Sequence, residues 1–252
     1  MATDTYWQLE KEYYTISTSH DFIIRVIEYA NVTRIVLNED GTAKEVKEAV
    51  ASKVHEFKVK RGVLTANSAY FNKSLFQADG QPTAAEKLDL HNDQPGAIEV
   101  WLKILHASDV HSTLAATSIK RLWDVLATAF KYGFDPNMAG AKAWFGAWYV
   151  CCPPMSSFWR LMLTRSRSCV RYDLKKSSAG RYFDYQDYQS LLFPLHTFDH
   201  AEGFQQATKY LADRSTGHIT ERKPDGFTDD HLRLDSIVIR ESSHIPLTTP
   251  RR

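Results

Sequence analysis

Two histidines four residues apart, His196 and His200, with Asp199 beside the second, are the spacing in this 252-residue chain that comes nearest to a chemical site. On one helix, imidazoles at i and i+4 share a face and could grip a divalent metal. A metalloprotease needs a Glu directly after the first His, and here Thr197 stands there. Pro194 lies just before, so the spacing predicts capping or a buried hydrogen bond rather than a metal centre. Cys151 and Cys152 could offer a thiolate, but they sit before Pro153-Pro154 with no flanking nucleophile signature. The carboxylate pairs Glu39-Asp40 and Asp229-Asp230 lie in polar turns, where solvation keeps such groups ordinary. No Gly-x-Ser-x-Gly elbow, phosphate loop or dinucleotide fingerprint occurs. The expectation is a protein with no catalytic residue, no metal and no cofactor. The alternative is an enzyme whose hydrolytic or metal site is built from scattered His, Asp and Cys.

The elements that would position such residues are clearer than the residues themselves. Met1 to Ser19 has no period and reads as a loosely ordered arm. Phe22–Val26 and Val32–Leu37 are β-branched runs that predict strands. Asn38-Glu-Asp-Gly41 predicts a turn, and Lys44–Ser52 one or two turns of helix. The alternating run His55–Val59 then leads into a helix-like segment carrying Val63, Leu64, Phe71 and Leu75, followed by a second short strand, Lys87–Leu90.

Beyond it the periodicity strengthens. Pro95 suits a first helical position, with Asp93 as its cap. Ile98, Trp101, Leu102 and Leu105 keep helical spacing. Ser118 can cap a second helix whose stripe is Ile119, Leu122, Trp123, Leu126 and Phe130, stopped by Gly133 and Asp135-Pro136. A third candidate runs from Ala139 to Val150, rich in aromatics. All of these stripes predict core packing. A further helical face, Phe204, Ala207, Thr208 and Leu211, follows Leu191-Leu-Phe-Pro194.

Composition narrows the class. Lys plus Arg number 31 against 30 for Asp plus Glu, so the chain lacks the basic excess of a nucleic-acid binder. Three Cys, two of them adjacent, argue against a disulfide framework and point to a reducing compartment. No secretory signal is visible at the N-terminus, and the longest nearly apolar run, Ala143–Cys152, is shorter than the roughly 18 residues that span a bilayer. The expectation is a cytoplasmic or nuclear protein without membrane or nucleic-acid partners. Ser156–Ser178 carries a local charge of +5, and a solvated basic linker is expected there.

The segment Phe57-Lys-Val-Lys-Arg-Gly-Val-Leu-Thr-Ala-Asn-Ser-Ala-Tyr-Phe71 resembles the strand-to-helix signature of the BTB/POZ domain, with Phe57, Val63, Leu64, Ser68 and Phe71 on its pattern. Lys60 stands where that family usually has His. Blocks 143–149, 192–201 and 217–222 are similar to blocks downstream of the BTB domain in a large group of fungal proteins. The resemblance implies an α/β (α+β) BTB/POZ fold, a small sheet covered by a helical cluster. The division expected is an arm over 1–19, the BTB domain over 20–149, a basic linker over 150–181, a helical extension over 182–235 and a disordered tail over 236–252.

It also implies a non-enzymatic interaction module that forms homodimers and recruits other proteins. A ubiquitin-ligase adaptor bound to a cullin and a transcription-related scaffold are the two uses expected of it. Adaptor relatives often carry an apolar-x-Glu triplet after the Ser-x-x-Phe helix. Here Phe76, Gln77 and Ala78 occupy that candidate partner surface, with Ala in place of Glu. Ile24, on the first strand, is the candidate dimer surface.

Overall fold

The computed structural model describes residues 9–37, 42–76, 81, 83–151, 183–215, 218–227, 229 and 231–234. Among them it is a mixed α/β fold with a four-stranded open sheet and seven α-helices. The chain divides into two compact units. One holds residues 1–108 with 132–134, and the other 109–131 with 135–252. The boundary expected at residue 149 therefore lies inside the second unit.

In the first unit the sheet order is β1-β3-β2-β4. Its centre is a long hairpin, β2 (Phe22–Leu37) against β3 (Ala43–Val59), antiparallel from Phe22 opposite Val59 to Leu37 opposite Ala43. The two expected strands are thus one continuous strand. Lys44–Ser52, expected as helix, belongs to β3. Its Ala, Lys and Glu favour helix, but the β-branched run of β2 supplies a backbone partner that outweighs this weak preference. A bulge between Glu28 and Tyr29 leaves Ser52 as an extra residue of β3.

β1 (Glu10–Thr15) adds parallel to β3, with Glu10 opposite Lys53 and Thr15 opposite Lys58. This corrects the expectation of a loose arm there. Its half-buried positions are Glu12 and Tyr14, which carry no apolar alternation that would mark a strand in the sequence. β4 (Lys87–His91) runs parallel to β2 from Ile23 to Ile27.

The covering helices are α1 (Arg61–Asn67), α2 (Ala69–Leu75) and α3 (Pro95–Leu105). Pro95 opens α3 as expected, but its cap position is Gln94 and no side chain caps it. Asp93 is instead taken by the Tyr132 hydroxyl, which donates to its Oδ2 at 2.7 Å. Ile98, Trp101, Leu102 and Ile104 are buried, whereas Leu105 is half-exposed.

In the second unit α4 (Ile119–Tyr132) begins where the Ser118 hydroxyl accepts from Arg121 N at 3.2 Å and ends at Gly133, whose φ of +67° suits only glycine well. Leu122, Trp123, Leu126 and Ala129 are fully buried, but Phe130, expected in the same stripe, is 56% exposed. A 3.6-residue period turns the buried stripe through Ala129 and leaves position 130 at its rim. α5 (Ala139–Cys151) follows.

α6 (Tyr185–Thr197) starts at a capping box in which the Asp184 side chain accepts from Asp187 N and the Asp187 side chain from Asp184 N. It continues through Pro194, so His196 lies in its last turn rather than before a helix. α7 (Ala201–Ala212) is the expected face, with Ala207, Thr208 and Leu211 buried. The indole N–H groups of this unit's described tryptophans are all satisfied. Trp123 donates to Ser190 O, Trp144 to Thr113 Oγ1 and Trp148 to Thr117 O, at 2.8, 3.1 and 2.8 Å.

The basic stretch 156–178, the expected tail 236–252, the turn 38–41 and Cys152 lie outside the described residues. No helix among the described residues is long and apolar enough to cross a membrane.

Candidate functional site

The strand-to-helix motif forms one connected piece of core. Phe57 lies on the buried face of β3, and Leu64 and Phe71 project from α1 and α2, all three removed from water. Val63 is half-buried. Ser68 separates the two short helices in extended backbone, and its hydroxyl does two jobs. It accepts from Phe71 N at 3.1 Å, capping α2, and donates to Tyr132 O. Phe71 then stacks on Tyr132 and Phe134 with centroids 5.3 and 5.9 Å apart, and Phe134 on Trp101 at 5.2 Å. These residues position surfaces; they are not themselves a surface.

Lys60, at the odd position of the motif, uses its backbone. Its N–H donates to Nε2 of His106 at 3.0 Å, while His106 Nδ1 lies 2.8 Å from Leu102 O. Only the neutral ring with its proton on Nδ1 satisfies both bonds. Burial holds the His106 pKa below the usual histidine value.

Among the candidate partner residues, Phe76 is half-buried just after α2, and its N–H donates to Asn72 O. Gln77 and Ala78 lie outside the described residues. Ile24 is wholly buried, 0% exposed, between Phe57 of β3 and Leu88 of β4 in the register of the sheet. As a dimer surface it is therefore corrected: it belongs to the core face of β2, and a charge there would test folding rather than association.

One polar cluster was not foreseen. His55 is 6% exposed, with Nδ1 3.1 Å from Glu12 Oε2 and Nε2 3.4 Å from Glu28 Oε2. Lys53 reaches Glu12 at 2.6 Å, and the Tyr14 hydroxyl donates to the same carboxylate. Lys53 foremost, then Tyr14, hold the Glu12 carboxyl down to about 2. Burial, then Glu12, push the Tyr14 hydroxyl up. The cluster ties three strands across one face, so only the register reveals it.

In the second unit His200 caps α7, its Nδ1 accepting from Gly203 N at 3.0 Å. That is the structural role expected of it. His196 is exposed, and its ring meets Phe204 edge-on at 5.9 Å. Asp199, at φ +53°, pairs with Lys142 at 2.7 Å, which keeps its carboxyl below the usual range. Gly203 fits closely at this corner: a Cβ would come within 2.5 Å of the Leu195 side chain and 2.6 Å of the His200 ring, so the capping ring would have to shift. Among the described residues no three His, Cys, Asp or Glu are arranged to hold a metal ion.

What the first unit does present outward is the far half of its hairpin. From Tyr29 to Val36 and from Ala43 to Ala49 every side chain is exposed except that of Val32, which is half-buried. Ile35 is the extreme, at 71%. Set against protein-family models, curated proteins and solved structures, the chain matches none of them.

Proposed function

We propose that this chain is a non-enzymatic protein-interaction module of the BTB/POZ type, acting by self-association and by recruiting other proteins in the cytoplasm or nucleus. The observation that carries the reading is the passage of β3 directly into α1 and α2, with Phe57, Leu64, Ser68 and Phe71 joined as one core. A unit built this way devotes its polar groups to holding elements together. His55 and His106 are each engaged with neighbouring groups, as are Glu12 and Asp93. Among the described residues of this unit the outward surface includes free sheet edge and exposed β surface, which suit a protein partner better than a small substrate.

Recruitment of a cullin-type ligase and recruitment of transcriptional co-factors are the two family uses that this reading offers. The absence of Glu at Ala78 weighs against the first. Light scattering on the purified chain tests the reading. A mass of two protomers at tens of micromolar supports it, and a monomer mass near 28.8 kDa overturns it.

A further inference from the structure

The hairpin outlasts the sheet around it. β1 covers β3 only from Lys53 to Lys58, and β4 covers β2 only from Ile23 to Ile27. Among the described residues no further strand pairs with β2 from Glu28 to Leu37 or with β3 from Ala43 to Ser52. Such a ribbon has two free edges, and they differ. The β3 edge carries Lys44, Glu45, Lys47 and Glu48, the charge pattern that blunts unwanted pairing. The β2 edge reads Glu-Tyr-Ala-Asn-Val-Thr-Arg-Ile-Val over 28–36, β-favouring and with Glu28 and Arg34 its two charges.

The backbone phase of that edge is fixed by the sheet. Ile23 N donates to Glu86 O, just before β4, so the odd-numbered residues of β2 turn their N–H and C=O away from β3. The bulge adds its extra residue to β3 and leaves the phase of β2 unchanged. Tyr29, Asn31 and Thr33 therefore aim backbone donors and acceptors outward along the uncovered edge.

From these facts we infer that the β2 edge is the self-association surface, two copies pairing antiparallel about a two-fold axis at Asn31. In that register Asn31 meets its own copy and Tyr29 meets Thr33, forming about six backbone hydrogen bonds. Glu28 then falls opposite Arg34 of the other copy, twice by symmetry, at close-spaced positions whose side chains share one face. The only two charges on this edge are thus placed to complement each other. Within one protomer both remain partly exposed, Glu28 beside His55 and Arg34 beside Glu48. A second copy is the occupant this edge fits, because it supplies both the matching hydrogen-bond phase and the matching charges. The inference rests on the self-association proposed above and names its interface.

Three variants test it by sedimentation equilibrium beside the wild type. Asn31→Pro removes an outward N–H in each copy while sparing every hairpin bond, and should weaken dimerisation by about tenfold or more. Glu28→Arg alone and Arg34→Glu alone should each lose the dimer, because like charges then meet twice. Mixing these two variants should restore association as a heterodimer, since both pairs become opposite again. Unchanged thermal melts of the variants would show that the fold is retained. A wild-type dimer insensitive to Asn31→Pro, with no rescue on mixing, overturns this interface and leaves self-association standing. A wild-type monomer overturns self-association itself.

Discussion

The two halves of the β2–β3 hairpin share the same two strands and are parted only by the bulge at Glu28–Tyr29, yet they live in opposite surroundings. In the half nearest α1, Phe22, Ile24, Val26, Val54, Phe57 and Val59 are all sealed from water. In the far half Ile35, Val36 and Val46 stand in solvent. Strand-forming residues populate both, so β preference decides that a strand forms but not what covers it. Cover comes from the period. Before the bulge the even positions of β2 are uniformly apolar up to Val26, whereas beyond it Arg34 interrupts them.

The largest test of this contrast lies in the buried half. Phe57→Ala should lower unfolding free energy by about 3–5 kcal/mol, the range for losing a buried aromatic ring. A urea melt with an unchanged midpoint would break the comparison. At the boundary between the halves, the Glu12 cluster should make the pairing of β1 sensitive to acid. A carboxyl depressed to about 2 contributes stability that is present above the unfolded value near 4.3 and lost as pH falls toward 2. The protection of the Glu10–Thr15 amides, taken relative to the intrinsic exchange rate at each pH, should therefore fall as pH drops between those values, and Glu12→Gln should abolish that loss. The smallest effect belongs to the far half. Ile35→Thr should change the monomer's stability by no more than about 0.5 kcal/mol, since an exposed strand side chain touches little. A larger loss in the same urea melt would mean that the ribbon is covered after all.

Legibility followed the same line. The helices with a sustained apolar period were readable from spacing, as were their stops at Gly133 and their start at Ser118. So was the buried set Phe57, Leu64 and Phe71. Phe130 was misplaced because a stripe extended by fours drifts off the core face. Lys44–Ser52 and Glu10–Thr15 were misassigned because strand pairing is non-local. Neither segment's own residues announce the partner that orders it. The His55 cluster was hidden for the same reason, since Glu12, Glu28 and Lys53 meet only when the register is known. Ile24 was correctly placed on a strand but on the wrong side of it, which is all that a period of two needs to mislead.

The strand order also has a consequence for chain entropy. At the hairpin tip Leu37 meets Ala43 within a few residues, whereas Glu10 must reach Lys53 and Ile23 must reach Lys87. Loop closure grows more costly with the length of chain enclosed, though only slowly. The middle of this sheet is therefore its local part, and its two outer strands are its long-range part. A hairpin core that can zip by itself, with parallel strands laid against it from distant chain, is a sheet assembled from the inside outward.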